Sequence, residues 1–214
     1  MFKFVFYIRI DIYVRYVILC VTFMKATTSY NYNEITNNDL LRLVQDAKND
    51  HNDALEKLCK FVYSKIYGYT YYRVKQREDA EDLTSEILLK MVKSLKTQKG
   101  NFLAWIYRIA SNQIIDFYRH RARRPEISIE SLKRDIPGSE VQRDILKEDK
   151  MKEAISRLTP EQSDVITLKF IQEYSNEEIA KIMNKTVGAI KVLQFRALKT
   201  LREYLRKEGY ATKY

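Results

Sequence analysis

Glycine and proline are scarce in this chain, with 5 and 3 residues in 214. So few chain-reversing residues exclude a β meander or a sandwich, which needs a turn every few residues. Cysteine is nearly as sparse. Cys20 and Cys59 form no CxxC pair and no zinc-ligand spacing, which excludes a disulfide framework and a zinc finger. The two histidines, His51 and His120, have no Cys or carboxylate pattern around them that reads as a metal site. No nucleophile–base pair and no phosphate-cradling glycine loop occurs, so the sequence is read as a non-enzyme with no cofactor and no small-molecule substrate. A long apolar run is missing too. Within the apolar amino terminus, Lys3, Arg9, Asp11 and Arg15 leave Tyr16 to Met24 as the longest uncharged stretch. That is well short of the roughly 18 residues a membrane-spanning helix needs. No small-residue cleavage site follows it, which argues against a signal peptide. Met24 offers an alternative translation start.

What the chain has in abundance is charge in helical rhythm. Lys plus Arg number 38 against 28 Asp plus Glu, a formal net charge of +10. Leu, Ile, Lys, Glu and Arg recur at helical spacing, which predicts an all-α fold. The basic excess suits a polyanionic partner, either nucleic acid or a membrane surface. The aromatic, partly basic amino terminus keeps a membrane-associated interaction protein open as one reading.

The chain divides by texture. Residues 1–35 form an extra amino-terminal segment. Residues 36–122 form a first helical domain, with helices expected from Asp39, from Asn52 to about Tyr67, after the REDAED stretch, and from Asn101. Gly68 and the tyrosines beside it are expected to break the second helix. Residues 123–140 hold two of the three prolines and no sustained apolar period, and read as a linker. Helices resume from Val141 to about Lys207 in a second domain, 141–208, followed by a tail, 209–214.

Three segments carry chemistry. In REDAEDLTSEILLKMVKSL, Ala80, Leu83, Ile87, Leu88, Met91, Val92 and Leu95 form one apolar face, and Asp79 is expected as the N-cap. On the opposite side Asp79, Asp82 and Glu86 fall within about 60° of one another. An acidic ridge on a basic protein repels DNA and suits a basic protein surface. In NFLAWIYRIASNQIIDFYRHRARR, Phe102, Ile106, Ile109, Ala110 and Phe117 form a core stripe. Trp105, with Arg108, Asn112 and Arg119, lies along one edge of that stripe, and Tyr107 and Tyr118 lie along the other. Flat rings beside guanidinium groups suit unstacked bases and phosphates.

The third segment is the most specific. Thr159-Pro160-Glu161-Gln162 and Ser175-Asn176-Glu177-Glu178 are capping boxes, the first with Pro at the opening helical position. Small Ala180, turn residue Asn184, cap Thr186 and inward Ile190 then fit the spacing of a helix-turn-helix. Its second helix buries Ile190, Leu193, Ala197 and Leu201 and exposes Lys191, Val192, Phe195, Arg196, Lys199 and Arg202. An apolar-backed, cation-fronted second helix suits a major groove. An ordinary helix-turn-helix repressor or activator is one reading of this segment.

Taken in order, DAEDLTSEILLKM, FLAWIYRIASNQIIDFYR and LTPEQSDVITLKFIQEYSNEEIAKIMNKTVGAIKVLQFRALKTLR resemble the extracytoplasmic-function sigma factors of bacterial RNA polymerase, over roughly Asp39 to Leu205. The resemblance implies two small helical domains, sigma region 2 and sigma region 4, joined by a flexible linker. It implies that Asp79, Asp82 and Glu86 dock on the polymerase largest subunit. It assigns Trp105, Arg108, Asn112, Asp116 and Arg119 to melting and reading the minus-ten element, with the loop Lys96 to Asn101 catching an unpaired base. It assigns Thr186, Lys191, Phe195, Arg196 and Lys199 to the minus-thirty-five element. The implied partners are core RNA polymerase and promoter DNA, with an anti-sigma factor as a further candidate, and the implied location is the cytoplasm. Val192, Leu193 and Phe195 depart from the more polar residues usual in the family.

Overall fold

The structure is a computed structural model that describes residues 36–74, 76–123 and 150–208. The apolar amino terminus, nearly all of the expected linker, the expected helix start at Val141 and the tail lie outside the described residues. All regular structure among the described residues is helical.

The first unit is four helices. Helix α1 (Asn37–Lys48) is opened by Thr36, whose hydroxyl accepts from the Asp39 amide at 3.2 Å while the Asp39 carboxylate accepts from the Thr36 amide at 3.3 Å. Such a cap contributes about 1 kcal/mol. Leu40, Val44 and Ala47 then face α2 (Asn52–Tyr71). Helix α2 runs past the expected break. Gly68 stands inside it, because an added Cβ would come within 2.8 Å of Gln172 Nε2 from the carboxy-terminal half. The glycine admits a close neighbour and ends nothing. Helix α3 (Arg77–Ser94) is preceded by Gln76 as its N-cap, so Asp79 sits in the first turn rather than at the cap. There it still meets the positive end of the helix dipole. A single 3₁₀ turn, Leu95–Thr97, leads through a loop to α4 (Phe102–Arg123). The Asn101 side-chain oxygen accepts from the Ala104 amide at 2.8 Å and starts this helix.

The second unit begins with helical residues 150–156. Helix α5 (Pro160–Ile166) follows, capped by Thr159 and Gln162, and widens into a π turn over Thr167–Ile171. Next come α6 (Asn176–Met183), capped by Ser175 and Glu178, and α7 (Val187–Lys207), capped by Thr186. Asn184 takes the left-handed conformation between α6 and α7, with φ 52° and ψ 49°. Its short polar side chain tolerates that region, which lets Asn stand where Gly is common.

The two units pack on each other. One continuous apolar cluster contains Leu58, Ile66, Ile87, Met91 and Ile106 of the first unit and Val165, Leu168, Ile179, Ile182 and Ile190 of the second. Each such side chain, once fully buried, contributes roughly 1.5–3 kcal/mol. Helix α4 lies against α6, and Tyr107 is wedged edge-on between Tyr69 and Tyr174, with ring centroids 5.2 and 5.9 Å away. Tyr107 is only 3 % exposed, so it is an interface residue and not the edge aromatic that the helical spacing suggested.

Beside these rings lies a buried ion pair, Arg73 with Asp164, whose side chains are 6 % and 13 % exposed. The Tyr69 hydroxyl and the Arg73 guanidinium both donate to Asp164 Oδ1, and the Ser111 hydroxyl donates to Oδ2 at 3.4 Å. Burial and the Asp164 charge push the Tyr69 phenol well above its ordinary value, against the opposing pull of Arg73. Burial, with Tyr174 beside it, pushes the Tyr107 phenol up as well.

Two outcomes follow from this interface. Asp164→Ala leaves a buried guanidinium without its partner and is expected to cost about 3–5 kcal/mol in a denaturant titration. The paired change Arg73→Met with Asp164→Leu, which leaves no orphaned charge, is expected to cost clearly less. The second outcome concerns alkali. An unfolded phenol ionises near 10.0, whereas Tyr69 and Tyr107 hold their protons higher in the native state. Their stabilisation is fully present below pH 10 and is lost as pH rises beyond it. Tyrosinate absorbance and helical dichroism followed together should show these two rings ionising only as the helices melt.

Candidate nucleic-acid and polymerase interfaces

The acidic ridge forms on α3, but its members differ. Asp82 is exposed. Asp79 is held by Arg121 of α4 at 3.1 Å, with 24 % of its side chain exposed. Glu86 accepts from Gln113 Nε2 at 2.9 Å, and the Gln113 oxygen in turn accepts from Lys90. Two of the three carboxylates therefore also tie α3 to α4, and Asp82 is the one committed least to the fold.

On α4 the strip predicted from spacing is present. Trp105 is half-buried with its ring 5.7 Å from Phe102, while Arg108, Asn112 and Arg119 are exposed. Asp116 pairs with Arg119 at 3.0 Å. Arg108 and Asn112 do not face open solvent alone. They line a cleft whose other wall is Pro160, Glu161, Met183 and Lys185 of the second unit. The loop ahead of α4 is anchored by a residue that spacing gave no reason to select. Lys48 Nζ, at the end of α1, donates to the Gln98 carbonyl at 2.7 Å and to its side-chain oxygen at 2.8 Å. Gln98 in turn donates to the Gly100 carbonyl at 2.9 Å, and Gly100 has φ 75°, a conformation that favours glycine. Lys96 pairs with Asp50 at 2.7 Å and fixes the other end of the loop.

In the helix-turn-helix, Ala180 is 6 % exposed beneath α7, and the Lys185 amide donates to the Ala180 carbonyl at 2.9 Å, closing the turn. Ile190 and Ala197 are fully buried, and Leu193 and Leu201 are partly so. Leu193 thus belongs to the core, which explains its apolar character at a position the family often keeps polar. The Thr186 hydroxyl accepts from the Ala189 amide at 3.2 Å and caps α7. Lys191, Phe195, Arg196 and Lys199 project outward. The buried group Tyr69, Arg73, Ser111 and Asp164 was not found from sequence. Arg73 and Asp164 lie 91 positions apart, and nothing local marks either as a partner.

Comparison with known proteins agrees with this geometry. Residues 60–124 match the family model for sigma-70 region 2, and residues 148–201 match that for sigma-70 region 4. The chain belongs to the sigma-70 family. Within it, the chain is similar to extracytoplasmic-function members. It is 34 % identical over 176 residues to the ECF RNA polymerase sigma factor BldN of Streptomyces coelicolor, covering 78 % of this chain and 66 % of that one. It is 28 % identical over 182 residues to SigW of Bacillus subtilis, covering 76 % and 95 %. The chain spans about two thirds of the length of BldN and nearly all of SigW. Among solved structures it shares its fold with CnrH in complex with the cytosolic domain of CnrY, with a TM-score of 0.61 at 20 % identity over 78 % of this chain and 96 % of that one. It also shares its fold with the sigma factor RpoE bound to the anti-sigma factor NepR from Bartonella quintana, with a TM-score of 0.53 at 23 % identity over 71 % and 96 %.

Proposed function

We propose that this protein is a sigma factor. It binds core RNA polymerase and directs promoter recognition, strand opening and transcription initiation. The observation that carries the reading is that one chain places an acidic ridge, an aromatic–cationic helix edge and a cation-fronted helix-turn-helix on the two sigma units in order. A helix-turn-helix regulator that works alone needs only the last of these. The protein acts without catalysis of its own, in the cytoplasm where the polymerase is. None of the described helices is long and apolar enough to cross a membrane.

In this reading Asp82, with Asp79 and Glu86 beside it, meets a basic surface of the polymerase. Trp105, Arg108, Asn112 and Arg119 hold the opened minus-ten strand by stacking and phosphate neutralisation, with Asp116 orienting Arg119 through their ion pair. Thr186, Lys191, Phe195, Arg196 and Lys199 meet the minus-thirty-five duplex. Arg108 and Asn112 line the cleft between the units and are exposed, so an opened strand that reaches them also meets Glu161 and Lys185 on the opposite wall. An anti-sigma factor is a further candidate partner, since the sigma factor RpoE of Bartonella quintana, which has this fold, is bound to the anti-sigma factor NepR.

Run-off transcription with core polymerase on a promoter library tests the reading, and promoter-specific transcripts that depend on this chain are expected. Asp82→Lys should weaken binding to core polymerase about tenfold, the size of one interface charge pair. Its stability should stay within about 0.5 kcal/mol of the wild type, because Asp82 is a surface residue. Equal affinity in a competition assay rejects the docking role. Arg108→Ala is expected to reduce permanganate reactivity of the opened strand while duplex binding holds. A dichroism melt confirms the fold first, and normal opening by a folded variant contradicts the assignment.

A further inference from the structure

The outward face of α7 has an apolar centre. Phe195 is 70 % exposed and Val192, one turn earlier, is 49 % exposed. The i, i+3 spacing places the two side by side. Lys191, Arg196 and Lys199 surround them, all exposed. Nothing in the described protein covers the pair, although large apolar side chains are usually buried. Gly188 lies on the same face one turn nearer the helix start. A Cβ there would meet only the Thr186 hydroxyl, at 4.0 Å, so the fold has room for a side chain at this position. A helix ordinarily disfavours glycine. Its presence lowers the surface ahead of Val192 and lets the backbone approach whatever lies in front.

The cationic surround selects a polyanion, and the apolar centre requires a hydrocarbon group on that polyanion. Phosphate and sugar do not supply one. Among the base edges in a DNA major groove, the 5-methyl of thymine is the one hydrocarbon group. We propose that Val192 and Phe195 read thymine 5-methyl groups, so that the element bound by α7 carries thymine beneath its first turns. This rests on the reading of α7 as the groove-reading helix and adds the base it prefers. A protein partner bearing acidic and apolar groups would fit the same face less economically, since it must supply a carboxylate for each flanking cation.

Replacing thymine by deoxyuridine removes the methyl and leaves every hydrogen-bonding group in place, which makes the test selective. Duplexes are first selected from a random pool by the full chain assembled with core polymerase. Each thymine of the winning site is then replaced singly by deoxyuridine, and affinities are measured at fixed salt. Loss of one buried methyl should weaken wild-type binding about fourfold at one or two positions. Phe195→Ala and Val192→Ala should bind the thymine duplex more weakly and show a thymine-to-uracil ratio near one at the same position. Lys199→Ala should weaken both duplexes alike and keep the wild-type ratio. A wild-type ratio of one at every position, with sequence-specific binding intact, overturns the inference and leaves the sigma reading standing. Phe195→Ala binding as tightly as wild type overturns it in favour of a protein occupant. Failure of the assembled holoenzyme to bind any duplex overturns both readings.

Discussion

The Arg73–Asp164 ion pair is the constraint on which the arrangement of the molecule depends. A guanidinium and a carboxylate taken out of water are costly, and their mutual attraction repays that cost only when the geometry is complete. Here it is complete. Tyr69 and Ser111 donate to the same carboxylate, and the Tyr118 hydroxyl donates to the Arg73 carbonyl. The pair joins the turn that follows α2 of the first unit to α5 of the second, beside the Tyr69–Tyr107–Tyr174 rings. If either charge is lost, the other is stranded.

The same geometry links packing to function. Closing the units places Pro160, Glu161 and Lys185 across from Arg108 and Asn112. Two of the side chains suited to an opened DNA strand therefore face, across an open cleft, the unit that would read the duplex. The outer faces stay free of this closure. Asp82 on α3 and the Lys191–Lys199 face of α7 are exposed. A polymerase surface or a DNA groove can reach these first.

Much of this was legible in the sequence, for physical reasons that differ by element. The caps at Thr159 and Ser175, both capping boxes, and the simple N-cap at Thr186 were readable because capping is local chemistry within four residues. The helix-turn-helix was readable because Ala180, Asn184 and Ile190 obey fixed spacing. The apolar faces of α3 and α4 followed from period, and the sigma resemblance followed from their order. What failed was non-local. Gly68 was read as a break because the residue that occupies the space beside it, Gln172, is distant in sequence. Tyr107 was placed on an exposed edge because the helical wheel of α4 cannot show that a second unit covers that edge. Asp79 was read as a cap, whereas the helix begins two residues earlier and Asp79 spends its charge on Arg121. The Lys48–Gln98 anchor and the Arg73–Asp164 pair join residues 50 and 91 positions apart, beyond the reach of any periodic signal.

The central claim is that the two units close on one another through this ion pair, set within the apolar cluster they share. Spin labels on the outer faces of α4 and α7, at positions outside the described contacts, would report the separation directly by pulsed dipolar spectroscopy. The account predicts one short, narrow distance for the wild-type chain and a longer, broader one for folded Asp164→Ala. A distance as short and narrow in folded Asp164→Ala as in the wild type would contradict it.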